Sequence, residues 1–307
     1  MYKYPSELFG YYWKNKSKEA INNRKNYLCP FHKTKCFKQS RLVDIPFGVC
    51  TAHYDGSELA LCPRRFLENN IVFRNIAEHH FKTLNNILVF SEVGLKGIGN
   101  FDFVMIKHKP MSIEIDDFVV IEFQTGQTTS TGQLVKAFKD FITIGHFNEK
   151  LSYGFGINSY DIWKRTFTQI LNKGIILEKW EKKIYWVVQD QIFNYFQKKY
   201  RLNNLEYNKN HSTIFALYDL KNKGDSLSLC PTRIFSSTID DLFDAFRQND
   251  EIPPVDKFIN RLTIKIQNDL NLSLRLEAKT TSKYVDTPKP SSTGRVRENS
   301  QNYNESQ

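Results

Sequence analysis

The sequence lacks any apolar run near the roughly 18 residues needed to span a bilayer, which excludes a membrane-spanning helix. Its first residues, MYKYPSELFGYYWKNK, have neither the basic start nor the apolar core of a secretory signal peptide. Internal repeats are also absent. These absences predict a cytoplasmic protein, and we expect no membrane partner.

The five cysteines show none of the closely paired CxxC spacings of common zinc ribbons. A reducing compartment also makes structural disulfides unfavourable. Four thiols nevertheless crowd into the basic, turn-rich segment 29–62, and such a set favours a tetrahedral site for zinc or a single iron. The four are Cys29, Cys36, Cys50 and Cys62.

Two alternatives to this metal site stay open. Buried free thiols are common core residues. His32 and His53 are close enough in sequence to act as ligands, although solvated loop positions suit both better. Cys230, far from the other four, reads as a core thiol.

Positive charge is in excess, with 43 Lys and Arg against 33 Asp and Glu and a net charge of +10. This balance favours a polyanionic partner, nucleic acid first and a membrane surface second. Simple colloidal solubility is the alternative explanation.

Hydrophobic periodicity predicts a helix over 68–83, three antiparallel strands, and a second helix over 132–143. The strands are expected at 87–93, 101–108 and 117–124. Further along we expect a helix at 159–173, a strand at 183–189, a helix at 192–200, a strand at 212–220, and helices at 238–247 and 255–269. The fold class is therefore mixed α/β. Residues 278–307 are polar and read as a disordered tail.

Three acidic residues fall on the three successive predicted strands: Glu92, Asp102 and Glu122. Gln124 shares a strand face with Glu122, because strand residues two apart point to the same side. A carboxylate buried without a partner is costly, so these acids are expected to face a cation. Oxygen-rich sites suit Mg²⁺. The alternative is a set of edge positions that face solvent.

The pattern of Asp102, nineteen residues, then Glu122-x-Gln124 resembles the active site of the PD-(D/E)xK nuclease superfamily. There the last position is lysine, which orients or deprotonates the attacking water. Gln124 has no charge, but its amide can hold a water by hydrogen bonds.

Together, the cysteine and carboxylate patterns resemble one group within that superfamily, the NotI-type restriction endonucleases, in which the last position is likewise Gln. The resemblance covers about 25–270. It is carried by CPF at 29–31, GVC at 48–50, LCPRRF at 61–66, FDF at 101–103, VVIEFQT at 119–125, KRTFTQ at 164–169, RIFSSTIDDLFD at 233–244 and PPVDKFINRL at 253–262.

This resemblance implies a PD-(D/E)xK core, a mixed central sheet flanked by helices, over 68–277. An N-terminal four-cysteine module would occupy 1–67, and the tail 278–307. It implies a Mg²⁺-dependent type II restriction endonuclease that cuts double-stranded DNA at a specific palindromic site as a homodimer. A DNA methyltransferase would be its partner in the same system, and one structural iron, or zinc, would bind the four cysteines.

By position, Asp102, Glu122 and Gln124 match the catalytic residues of that family, and Asp102 and Glu122 would bind Mg²⁺. Glu92 matches an extra acid on the preceding strand, with Glu78 on the helix before it as a rival. Candidate DNA contacts are Arg64, Arg65, Lys136, Lys164 and Arg165. Two other functions stay open: a non-catalytic, metal-stabilised DNA-binding protein, and a less specific phage or repair nuclease.

Overall fold

The structure, a computed structural model, describes residues 2–147, 152–200, 202, 205–247 and 254–267. The chain divides into two compact units, 1–249 and 250–307. The proposed boundaries at 67/68 and 277/278 stay predictions, and the tail 278–307 lies outside the described residues. Among the helices described, none is both long and apolar enough to cross a bilayer.

The N-terminal segment forms a small antiparallel sheet in the order β2 (Tyr11–Tyr12), β1 (Tyr4–Leu8), β5 (Val49–Tyr54) and β6 (Ser57–Ala60), with a separate hairpin of β3 (Leu28–Cys29) and β4 (Thr34–Lys35). Sequence reasoning did not find this sheet, because its strands are short and carry polar residues such as Ser6 and Glu7. The elements are β1 (Tyr4–Leu8), β2 (Tyr11–Tyr12), α1 (Lys18–Asn26), β3 (Leu28–Cys29), β4 (Thr34–Lys35), β5 (Val49–Tyr54) and β6 (Ser57–Ala60).

A longer series of strands and helices follows. A 3₁₀ segment, Pro63–Asn70, opens it, and a π-helical turn, Ile170–Gly174, lies between the helices Ser159–Gln169 and Ile175–Lys179. The elements are α2 (Ile71–Phe81), β7 (Ile87–Leu95), β8 (Gly99–His108), β9 (Ile115–Gln124), β10 (Thr128–Thr129), α3 (Thr131–Ile144), β11 (Gly156–Ile157), α4 (Ser159–Gln169), α5 (Ile175–Lys179), β12 (Lys183–Gln189), α6 (Asp190–Lys199), β13 (Thr213–Asn222), β14 (Leu227–Ser237), α7 (Ile239–Arg247) and, in the second unit, α8 (Val255–Gln267).

The central sheet has the strand order β14-β13-β12-β9-β8-β7. The first three strands in sequence, β7, β8 and β9, pair antiparallel as expected. β9, β12 and β13 are parallel, and β14 closes the far edge antiparallel to β13. The predicted mixed α/β fold with a mixed central sheet is confirmed.

Apolar residues cover both faces of this sheet, so its central strands are buried on both sides. Val120 and Trp186 pack on one face with residues of α4 and α6. Val119 and Ile121 pack on the other face with residues of α2. A third cluster joins the N-terminal sheet to α3. A continuous apolar run such as Val119–Ile121 is what a strand buried on two faces requires.

Two local features depart from the expected elements. The predicted helix 68–83 begins only at Ile71, because Asn69 and Asn70 adopt left-handed backbone angles (φ +49° and +56°) that a right-handed helix excludes. β14 was not predicted, because Pro231 and a register shift near it obscure the two-residue alternation. Proline is tolerated there since β14 is an edge strand.

Candidate active site

The two predicted metal-binding acids lie next to each other on β8 and β9. The strand register pairs Phe103 with Ile121, which places Asp102 beside Glu122. The backbone N–H of Phe123 donates to Asp102 Oδ2 at 2.8 Å, and the N–H of Asp102 approaches Glu122 Oε1 at 3.4 Å. The predicted convergence of these two acids is therefore present in the structure.

Glu122 is fully buried and pairs with a lysine from a distant helical turn. Lys173 Nζ donates to Glu122 Oε1 at 2.7 Å and to the carbonyl of Asn100 at 2.6 Å. Oε2 of Glu122 is buried and has no hydrogen-bond partner among the described residues. A buried polar atom without a partner is costly, and in native proteins it often marks a functional site or an unseen ion.

The surroundings raise the pKa of both acids. Burial and the neighbouring Asp102 carboxylate raise the pKa of Glu122 to about 7, and Lys173 only partly offsets them. Burial also raises the pKa of Asp102, against the hydrogen bond from Phe123 and the charge of Lys173. A cation beside both acids would favour their charged forms.

Gln124 is held at both ends of its amide by α4. Its Nε2 donates to Gln169 Oε1 at 2.8 Å, and its Oε1 accepts from the hydroxyl of Thr166 at 3.0 Å. The single hydroxyl proton of Thr166 is shared with the carbonyl of Ile162, which lies 2.8 Å from the same oxygen atom. The amide orientation is therefore set by the protein, as a water-positioning group requires.

Glu92 approaches the same place from β7. It lies between the pairs Ser91–Phe103 and Val93–Phe101, opposite Asp102, and has a left-handed backbone (φ +53°). Its side chain is exposed and lines the cleft described next. Glu78 is exposed on α2 and does not line that cleft, so the position of Glu92 fits an extra acid better.

Glu92, Asp102 and Gln124 line a cleft of about 640 Å³, whereas Glu122 is buried and is not among its lining residues. One wall comes from the central sheet and α4, and the other from the N-terminal cysteine segment. The lining residues are His32, Phe37, Leu61, Pro63, Arg64, Leu67, Ser91, Glu92, Asp102, Phe103, Phe123, Gln124, Thr125, Gly126, Gln127, Arg165 and Gln169.

Two of the five candidate DNA contacts reach this cleft. Arg64 lies over the ring of Phe37, with 3.2 Å between guanidinium carbon and ring centroid. With the Gln127 amide turned to present its oxygen, Arg165 donates to it at 2.7 and 3.0 Å. A planar guanidinium held in one direction suits phosphate or guanine.

The other three candidates lie elsewhere. Arg65 is 1% exposed, and its guanidinium donates to Glu7 at 2.7 Å, to Glu68 at 2.6 Å and to the carbonyl of Leu227 at 3.0 Å. This buried network gives it a structural role, and its position does not support a DNA contact. Lys136 on α3 and Lys164 on α4 are exposed but do not line the cleft.

The four N-terminal cysteines line one small enclosed cavity of about 20 Å³, together with Phe9, Phe37, Lys38, Phe47, Gly48, Val49 and Arg64. Burial raises the pKa of Cys29, Cys36 and Cys50, and the nearby thiols add to this effect. Across the described ranges, no group of three or more His, Cys, Asp or Glu side chains is arranged to hold a metal ion as it stands.

The donor sets still fit the ions that the resemblance implies. Four thiols around one cavity match the donor chemistry of an S₄ iron or zinc site. His53 is engaged with Glu58 at 2.9 Å, and His32 lines the cleft of about 640 Å³ instead of the thiol cavity. At the carboxylate pair, the unpartnered oxygen of Glu122 supplies the oxygen donor that Mg²⁺ favours.

Sequence reasoning missed Thr166, Gln169 and Lys173, the side chains that hold Gln124 and Glu122. A signal was present, because these positions recur at helical spacing with the apolar Ile162 and Ile170. A lysine on the apolar face of a helix indicates a buried partner. The identity of that partner, 51 positions away, required the fold.

Acids on adjoining strands, set in the wall of a cleft that arginines also line, are typical of enzymes that hydrolyse nucleic acid. A comparison with family models supports this class: the model described as restriction endonuclease NotI matches residues 16–229, which is most of the chain. The chain therefore belongs to the NotI restriction endonuclease family and is a site-specific nuclease that cuts DNA. The match stops before 233–244 and 253–262, segments that also suggested the resemblance. No curated protein matches the chain.

Proposed function

We propose that this protein is a type II restriction endonuclease that hydrolyses phosphodiester bonds of double-stranded DNA in a Mg²⁺-dependent reaction. The observation that carries the proposal is the pairing of Asp102 and Glu122, with one buried Glu122 oxygen left without a partner. Such a buried oxygen, beside a second acid that lines an open cleft, suits a divalent cation.

Each residue of the site has a role in this reaction. Asp102 and Glu122 would hold Mg²⁺, with the carbonyl of Phe123 as a further ligand. When bound, the ion lowers the pKa of a water and neutralises charge that develops on the phosphate. Gln124, fixed by Thr166 and Gln169, positions the attacking water, and Glu92 on β7 would orient a water or help to hold a second ion.

DNA would enter the cleft between the central sheet and the cysteine segment. Arg64 and Arg165 face this space from its two walls, and the net charge of +10 favours the polyanion as a whole. One iron, or zinc, bound by the four cysteines would hold the Arg64 wall in place. This structural ion takes no part in the cut.

We further propose a homodimer acting on a palindromic site. The described residues contain one Asp102–Glu122 pair per chain, and cutting both strands symmetrically requires two such centres. A two-fold dimer presents them to the two halves of a palindrome. A methyltransferase with the same specificity would protect the host DNA.

The test is cleavage of a long duplex by Asp102→Asn protein. We expect cleavage to be lost, because a ligand oxygen and a negative charge are removed together, while binding to DNA without divalent metal stays within about threefold of the parent. Asp219→Asn, an acid on β13, is the matched control and should cut normally. Retained cleavage by Asp102→Asn would overturn the site assignment.

A further inference from the structure

Lys173 is a buried cation in the wall behind the carboxylate pair. Its side chain is 8% exposed, and its ammonium group makes two short bonds, to Glu122 Oε1 and to the carbonyl of Asn100. We infer that Lys173 is a positioning residue, which commits one oxygen of Glu122 to the protein and leaves the other for the metal. This inference rests on the proposed Mg²⁺-dependent function.

The two oxygens of the Glu122 carboxylate have different surroundings. Oε1 accepts a hydrogen bond from Lys173 Nζ at 2.7 Å, and the backbone N–H of Asp102 approaches the same oxygen at 3.4 Å. Oε2 is equally buried and receives no donor from the described residues. The ion pair therefore fixes the rotation of the carboxylate and makes Oε2 its available ligand atom.

The backbone conformation around Lys173 places its side chain beside Glu122. Lys173 lies in the π-helical turn Ile170–Gly174, which interrupts the helix directly after α4. π-turns are rare and frequently occur at functional sites. Ile170, Lys173 and Gly174 are all buried. A Cβ on Gly174 would lie 3.2 Å from Ile239, so this turn packs closely against α7.

One helical segment thus supports both polar side chains at the C-terminal end of β9. Thr166 and Gln169 on α4 hold the amide of Gln124, and Lys173 holds the carboxylate of Glu122. The strand carries Gln where the superfamily pattern has lysine, and the lysine charge enters instead from this helix. It acts on Glu122, so its effect on the reaction is through the metal ligand.

Orientation matters because Mg²⁺ demands near-ideal octahedral geometry. Groups that orient a metal ligand typically change metal affinity or activity by about 10–100-fold when removed. A lysine with a purely structural role would not change metal affinity when it is lost from a folded protein. Metal affinity is therefore the measurement that separates the two roles.

The experiment measures Mn²⁺ binding to the full-length protein by electron paramagnetic resonance, with Asp102→Asn protein as the background from other sites. The variants are Lys173→Met, which removes the charge and the donor, and Lys173→Gln, which removes the charge and keeps a neutral donor on a shorter side chain. Lys182→Met is the matched control, because Lys182 pairs with Asp117 on the same strand at 2.6 Å. Thermal melting identifies the variants that fold.

We expect Lys173→Met to weaken Mn²⁺ binding about 10–100-fold while metal-free DNA binding stays within about threefold. Lys173→Arg, which keeps a charged donor, should recover part of the loss, and Lys182→Met should bind Mn²⁺ as the parent does. Parent-like Mn²⁺ affinity in a folded Lys173→Met or Lys173→Gln protein would overturn the inference. Failure of both neutral variants to fold would overturn it too, in favour of a structural ion pair.

The inference and the proposed function fail in different ways. If the parent neither binds Mn²⁺ above the Asp102→Asn background nor cuts DNA with Mg²⁺, the proposed function fails. If the parent does both and the folded Lys173 variants bind Mn²⁺ equally well, only the role of Lys173 fails.

Discussion

The two ends of β9 each hold a carboxylate paired with a lysine, yet only one end has the properties of a reactive site. At the first end, Asp117 accepts from Lys182 at 2.6 Å, from His80 at 2.9 Å and from the N–H of Phe118 at 2.8 Å. Burial opposes ionisation there, but these hydrogen bonds lower the pKa of Asp117 below its usual value.

At the other end, Glu122 has the same kind of partner at nearly the same distance, 2.7 Å from Lys173. Its second oxygen receives no donor from the described residues, and burial beside Asp102 raises its pKa to about 7. The presence of a lysine therefore does not separate a structural acid from a functional one. The unfilled oxygen and the neighbouring acid do.

The carboxylates at the two ends of β9 are expected to differ most in their effect on the rate of DNA cleavage. Glu122→Gln removes the charge that would hold Mg²⁺, and we expect a loss of about a thousandfold, or about 4 kcal/mol of transition-state stabilisation. Asp117→Asn should leave the rate within about threefold. Single-turnover cleavage of one duplex by the two variants measures both. Equal losses would mean that the two ends of β9 do not differ in function.

The two ion pairs should also differ in stability. Lys173→Met leaves a fully buried carboxylate without its partner, and breaking such a pair costs about 3–5 kcal/mol. Lys182→Met breaks a pair whose members are 30% and 34% exposed, and the expected cost is about 0.2–1 kcal/mol. Urea denaturation without divalent metal gives both values. A larger cost for Lys182→Met would contradict the burial assigned to each pair.

Gln124, two residues beyond Glu122, can be compared with another buried amide at the end of a strand. Gln124→Leu removes the group proposed to position water, and we expect a loss of about a hundredfold in rate at saturating Mg²⁺. Gln189→Leu is the matched control: Gln189 is also a buried amide ending a neighbouring strand, but it bonds Glu58 O at 2.8 Å and the N–H of Ala60. It should lose stability and keep its rate. A parent-like rate for Gln124→Leu would remove Gln124 from the mechanism.

The smallest effect concerns acid stability at the Asp117 end. Burial lowers the pKa of His79 and His80 below the ordinary 6.5. As the pH falls below 6.5, these two histidines therefore bind protons more readily in the unfolded chain than in the folded protein. The unfolding free energy decreases as a result. His79→Gln removes one of these groups. Between pH 7 and pH 5.5 the urea midpoint of the parent should therefore fall more than that of the variant. An equal fall in both proteins would contradict this prediction.

The local sequence pattern was enough to predict the strands that hold the candidate site. The alternation and the polar interruptions in 101–108 and 117–124 placed Asp102, Glu122 and Gln124 on neighbouring strands, and the structure brings them together. The strand 183–189 was predicted with its observed bounds, since it is a continuous apolar run flanked by polar residues.

Contacts between segments that are distant in sequence could not be predicted from the local pattern. Lys173 meets Glu122, and Arg65 meets Glu7, only because the chain folds back, and local spacing carries no information on such partners. Arg64 and Arg65 look alike in sequence, yet the turn at Pro63 sends one toward the cleft and the other into the interior. Short strands such as β1 form because the neighbouring β5 pairs with them, so periodicity alone does not mark them.

The most direct test of the central claim is digestion of unmethylated genomic DNA by the purified full-length protein, with Mg²⁺ or with a chelator. The account predicts a discrete set of fragments with Mg²⁺ and intact DNA with the chelator. Fragments of equal yield in the chelator would contradict a cation-dependent centre at Asp102 and Glu122. A continuous smear with Mg²⁺ would contradict cleavage at a specific site.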